Sequence, residues 1–169
     1  MGKVIALFLR TYLPYRLNLL AELTSDGTRE IYRKRHGLTR PEWRVLVNLA
    51  EAPSLTASAL CARVPAHKTK VSRALVALER RGWVRRTVDQ QDRRVSHAAL
   101  TAQGQRAFAA IRPEMEAATE ALLAPLTPQE RARLDEGLAV LERLFGVAGQ
   151  GAAEKGGAAQ GGDEAAPLE

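Results

Sequence analysis

Cysteine, aromatics and long apolar runs are all scarce in this chain of 169 residues, and each scarcity excludes something. One cysteine, Cys61, cannot close an internal disulfide, so the chain reads as a protein of a reducing compartment, expected in the cytoplasm. Aromatics make up 5% of residues while Leu and Ala abound, which favours helices packed by aliphatic side chains. The one early apolar run, Val4 to Leu9, is broken by Arg10 and Pro14. It is too short to span a bilayer and lacks a small-residue cleavage site, so neither a membrane anchor nor an export signal is expected. Cys61 sits on the apolar side of a short predicted helix; a small core residue is the expected role, a redox sensor the alternative.

Positive charge, by contrast, is plentiful. The chain carries a formal net charge of +6, with a sequence pI near 10.0. The last 23 residues, 147–169, hold six Gly and seven Ala with no apolar period, and predict a disordered tail. Without that acidic tail, residues 1–146 carry +9, and the stretch from Arg63 to Arg106 alone carries +8. Charge concentrated in this way is the footprint of a polyanion binder.

Local signals punctuate the folded part. Thr39-Arg-Pro-Glu42 and Thr127-Pro-Gln-Glu130 are capping boxes, opening helices over 39–50 and 127–145. Thr56 can cap a short helix ended by Pro65, and Thr101 can cap a long one over 101–124 that contains Pro113. A first helix spans about 14–35, and another runs over 68–81 with Gly82 as its stop. Two extended stretches, 83–88 and 95–100, follow it. The order is α-α-α-α-β-β-α-α, mainly α with a small β-hairpin. Apolar seams mark the outer helices: Leu13, Leu17, Leu20 and Ile31; Phe108, Ile111, Met115, Ala118 and Leu122; Leu134, Leu138, Leu141 and Phe145. They suit burial between helices, in a dimer or against the central unit, and their terminal position favours a dimer.

The helix over 68–81 has two faces. Val71, Ala74, Leu75 and Leu78 share one arc and must face a core. Opposite lie Thr69, Ser72, Arg73 and Val76, with Lys68 and Lys70 flanking them near the helix N-terminus, where anions are attracted. Arg suits guanine, hydroxyls suit several acceptors and Val suits a thymine methyl, while the lysines suit phosphates. Helix, turn and basic amphipathic helix read as a helix-turn-helix, and the two strands as its wing.

Catalysis finds less support. His36, His67 and His97 stand isolated without metal-ligand spacing, and Cys61 has no evident base. Asp89 and Asp92 would be held ionised by adjacent arginines, which suits neither acid nor base work. No catalytic residue, metal or cofactor is expected. A winged helix used for protein contact, or sequence-indifferent DNA binding, remains as an alternative.

These motifs together, LTRPEWRVLVNLAEA, KTKVSRALVALERRGWVRR, DQQDRR and ALTAQG, resemble the multiple-antibiotic-resistance regulator (MarR) family of winged helix-turn-helix proteins over about 10–146. The resemblance implies a homodimer joined by helices in 10–37 and 102–146, with a DNA-binding part over 38–101. It implies a near-palindromic double-stranded operator, and repression relieved by a small, often phenolic, effector. It places Lys68 to Arg73 in the recognition helix and Asp92, Arg93 and Arg94 at the wing tip. There Asp92 is expected to hold the guanidinium of Arg94, which enters the minor groove, while Arg93 meets phosphate. Tyr15, His36, Trp43 and Arg44 are candidates for an effector cleft, each equally explained as core or surface. Departures from the family pattern are His67, a weak cap, Pro65-Ala66 in place of Gly, and the small residues of the second wing strand, VSHAAL.

Overall fold

The computed structural model describes residues 8–64 and 66–146. Pro65, most of the early apolar run and the Gly/Ala-rich tail lie outside the described residues. The chain falls into two compact units, Met1–Pro125 and Leu126–Glu169.

In the first unit, α1 spans Leu13–Arg29 and continues into a π-helical turn, Glu30–Arg35, where Ile31 and Tyr32 are buried. Gly37, at φ 61°, ends this rod in a left-handed conformation that a side chain would strain. Helix α2, Arg40–Ala50, opens on the expected capping box. Thr39 Oγ1 accepts from the Glu42 N–H at 3.4 Å, and Glu42 Oε2 accepts from the Thr39 N–H at 2.9 Å. Such caps contribute about 1 kcal/mol. Its inward residues Val45, Leu46 and Leu49 are buried.

Helix α3, Ala57–Arg63, is capped by Thr56, whose Oγ1 accepts from the Ala59 N–H at 3.1 Å. Helix α4, Lys68–Arg80, buries Val71, Ala74, Leu75 and Leu78, the four residues its periodicity selects. Strands β2, Val84–Val88, and β3, Ser96–Leu100, pair antiparallel with Val84 opposite Leu100 and Val88 opposite Ser96. Strand β3 lies at the centre of a three-stranded sheet, because β1, Leu55–Thr56, pairs with its other edge. The wing is therefore more than the expected hairpin. Two residues leave no periodicity from which β1 could be predicted.

Helix α5, Ala102–Leu123, is capped by Thr101 and continues through Pro113. Most of its seam packs inward: Ile111 is buried, and Phe108, Met115 and Ala118 lie against the same core, while Leu122 at the seam's end is exposed. That core joins Leu38, Leu46, Leu49, Leu60, Val64, Val71 and Leu78 to Ala98 and Leu100 of the sheet. Each large aliphatic side chain buried there contributes roughly 1.5–3 kcal/mol. Cys61 packs half-buried at its edge.

The second unit holds α6, Pro128–Leu144, opened by the Thr127–Glu130 capping box. Hydrogen bonds from the Thr127 backbone and then its hydroxyl hold the Glu130 carboxyl below its ordinary range. Neither α1 nor α6 buries any residue of its own, and Leu13, Leu20, Leu134 and Leu138 are exposed. No described helix is long and apolar enough to cross a membrane.

Candidate nucleic-acid interface

Two devices fix the position of α4. At its C-terminal end the Arg81 guanidinium donates to the carbonyls of His36 and Gly37, at 3.1 and 2.5 Å, and lies 5.3 Å over the Trp83 ring. Gly82 then turns the chain at φ 71°, and the Thr101 hydroxyl donates to its carbonyl at 2.6 Å. Farther along, Glu79 accepts from Nε and Nη2 of Arg86 on β2, and this bond raises the Arg86 pKa. Two arginines that charge counting assigns to the polyanion face are thus structural.

What remains on the outer face of α4 is free. Lys68, Thr69, Lys70, Ser72 and Arg73 are exposed. Val76 is half-buried in a shallow notch with Ala77, between Ser72, Arg73 and Arg80. His67 makes no side-chain cap bond, so the N-terminal end of α4 carries no side-chain acceptor of its own.

The wing loop is organised by two carboxylates. Asp89 Oδ1 accepts from the backbone N–H groups of Gln91 and Asp92, at 2.8 and 3.0 Å, and Oδ2 lies 3.1 Å from His97 Nε2. These bonds, the Asp92 N–H foremost, hold the Asp89 carboxyl below its ordinary range. Asp92 differs from expectation. Its Oδ1 accepts from the backbone N–H of Arg94 at 2.9 Å, and no described ion pair joins it to a guanidinium. Its short side chain closes an Asx turn more readily than it reaches a neighbouring fork. Asp92 shapes the loop, which presents Arg93 and Arg94, both exposed.

Unpaired cations cluster on this face; Arg16, Arg33, Arg106, Arg133 and Arg143 also meet no carboxylate among the described residues, but they are scattered over other elements. Elsewhere Arg35 meets Glu114 at 2.8 Å, Arg40 meets Glu22 at 3.1 Å and Arg112 meets Glu116 at 2.6 Å. On α4 and the wing, Lys68, Lys70, Arg73, Arg80, Arg85, Arg93 and Arg94 meet no carboxylate among the described residues. Glu79, the one acid of α4, is taken by Arg86. A helix face and a loop bearing uncompensated cations form a surface for a polyanion.

The histidines are less isolated than they look in sequence. His36 Nε2 lies 3.0 Å from Glu114 Oε1, and with Arg35 it holds the Glu114 carboxyl below its ordinary range. No spacing rule links residues 78 positions apart. The His97–Asp89 pair did leave a signal: Thr87 opposite His97 puts Asp89 diagonally across on the same face. Among the described residues, no three His, Cys, Asp or Glu side chains converge as metal ligands. Of the four effector candidates, Trp43 lines a cleft of about 750 Å³ between α2 and α5, and Tyr15, His36 and Arg44 do not. Burial, and then the nearby Arg40, lower the Arg44 pKa.

Relatives share this frame. The family model described as "MarR family" matches residues 36–95. The chain is 30% identical over 112 residues to the transcriptional regulator HosA of Escherichia coli O127:H6, covering 66% of this chain and 83% of that protein. It is 31% identical over 101 residues to the homoprotocatechuate degradative operon repressor of Escherichia coli, covering 60% of this chain and 68% of that one. A solved structure of Sco3205, a MarR family transcriptional regulator from Streptomyces coelicolor in complex with DNA, superposes with a TM-score of 0.67 at 28% identity, covering 76% of this chain and 83% of that one. With the winged unit, its basic outer face and these relatives in agreement, the chain belongs to the MarR family of transcriptional regulators.

Proposed function

We propose that the chain is a sequence-specific, homodimeric repressor that releases its operator when a small aromatic ligand binds. The observation that carries this reading is the set of uncompensated cations on α4 and the wing. Lys68 and Lys70 meet phosphates beside the N-terminus of α4. Thr69, Ser72, Arg73 and Val76 face base edges in the major groove, with Arg73 for guanine and the Val76 notch for a thymine methyl. Arg94 enters the minor groove and Arg93 meets phosphate, on a loop that Asp92 shapes.

Residues 38–101 form the DNA-reading part, and 10–37 with 102–146 the dimerisation helices. The support for a dimer is the apolar surface of α1 and α6, where Leu23 is 60% and Leu144 68% exposed. Patches of this kind mark interfaces. One relative's name, an operon repressor, supports repression, and the stacked aromatics of the α2–α5 cleft support an aromatic effector.

The deciding experiment is a gel-shift titration against the promoter of the chain's own gene across a salt series. Retardation should fall with a slope of roughly −0.9 per phosphate neutralised, and random DNA should bind far more weakly. No retardation at low salt would sink the repressor reading, and equal retardation of random DNA would leave a sequence-indifferent binder.

A further inference from the structure

The cleft between α2 and α5 has walls of unlike character. One is apolar: the rings of Trp43 and Phe108 stack with centroids 6.1 Å apart, and Val47 and Met115 extend their surface. About 750 Å³ of space beside them is within the range of small-molecule sites.

The charged wall runs against an anionic ligand. Arg112 is the one cation among the residues lining the cleft, and its Nε already donates to Glu116 Oε1 at 2.6 Å. An incoming carboxylate would have to compete with Glu116 for it. Glu51 also lines the cleft, exposed and without a cationic partner among the described residues. Glu51 is also the C-cap of α2, so the negative end of that helix dipole lies at the same corner. The faces of the indole and phenyl rings add a third contribution of the same sign.

We propose that this cleft takes a small aromatic cation, a single ring bearing an amine on a short chain. The ring lies against Trp43, Phe108 and Met115, and the amine points to Glu51. A carboxylate of the same shape meets the Glu51 charge, the helix C-terminus and the ring faces as repulsion. This ligand class rests on the reading of the cleft as an effector site, and defines which effectors it selects.

Three probes with one ring and three charges test it: tyramine, 4-ethylphenol and 4-hydroxyphenylacetate. They are titrated calorimetrically into the full chain without DNA. Tyramine should bind tightest and the acid weakest, separated by roughly five- to tenfold, as partly screened charges allow. Glu51→Gln should shrink that gap and Glu51→Lys should invert the order, while circular dichroism shows both variants folded. An acid that binds as tightly as the amine would overturn the proposal. So would an order unmoved by Glu51→Lys, or no binding of any probe at millimolar concentration. Operator binding is measured separately by gel shift without ligand, so a failed repressor reading leaves this titration readable.

Discussion

The Glu79 carboxylate accepts two hydrogen bonds from Arg86, Nε at 3.0 Å and Nη2 at 2.5 Å, and so ties α4 to the first wing strand. An arginine beside the basic face of α4 is thereby spent on the protein itself. Arg86→Gln should weaken operator binding severalfold, since it leaves Glu79 unpaired near phosphate. The double variant Glu79→Gln/Arg86→Gln should return to within about twofold of wild type, as coupling between contacting residues requires. Gel-shift affinities of the three proteins give the cycle; a double variant as weak as Arg86→Gln alone would make Arg86 a phosphate contact.

The proposed DNA reading assigns base contacts and phosphate contacts to different residues of α4. Arg73→Ala should erode discrimination between operator and random DNA, at about 1–3 kcal/mol. Lys68→Ala should weaken both alike and reduce the salt slope by about one. Competitive gel shifts at two salt concentrations distinguish the outcomes; a uniform loss from Arg73→Ala would move that residue onto the phosphates.

In the wing, the Asp92 bond to the Arg94 backbone makes a distinction that an ion pair would not. Asn retains the oxygen that accepts this bond, so Asp92→Asn should leave operator affinity nearly unchanged, while Asp92→Ala lowers it. Arg94→Ala should lower affinity severalfold without altering the melting temperature. Were Asn as harmful as Ala, the Asp92 charge would be the active feature.

Acid should loosen the same loop. Asp89 has a depressed carboxyl pKa, so its contribution to stability is present above the unfolded-state value of about 4 and is lost as pH falls through the lower folded value. Glu114 contributes with the same sign through His36 and Arg35. Urea midpoints from neutral pH to pH 2.5 should therefore decline more steeply in wild type than in Asp89→Asn. Parallel curves would count against the assignment.

Gly104 allows the first turn of α5 to meet the chain at Trp83. A Cβ there would lie 2.9 Å from the Trp83 carbonyl carbon and closer still to its oxygen, and backbone cannot yield as a side chain can. Gly104→Ala should cost roughly 2–3 kcal/mol in urea unfolding. A neutral effect would mean that α5 shifts freely against β2.

What was legible in the sequence was local. Both capping boxes needed three residues of spacing, and the buried face of α4 needed only its period, so Thr39, Thr127, Val71 and Leu78 stand where expected. What was hidden depends on where distant segments meet. Charge counting gave Arg81 and Arg86 to the nucleic acid, but chain geometry turns one toward the carbonyls of His36 and Gly37 and the other toward Glu79. Asp92 has two candidate partners within two residues, a guanidinium and a backbone N–H, and sequence does not rank them. The α5 seam announced burial without naming the surface, and Phe108 and Ile111 found it in their own chain.

Strand β3 lies between β1 and β2, and β1 runs directly into the cap of α3. At Ala98 and His97 the wing is pinned, because bending it away there would tear the β1 pairing and disturb the start of the helix-turn-helix. Helix and wing therefore travel as one stiff part. In the proposed dimer, regulation of such a part would work as a caliper does, by changing the span between two jaws rather than the shape of either jaw.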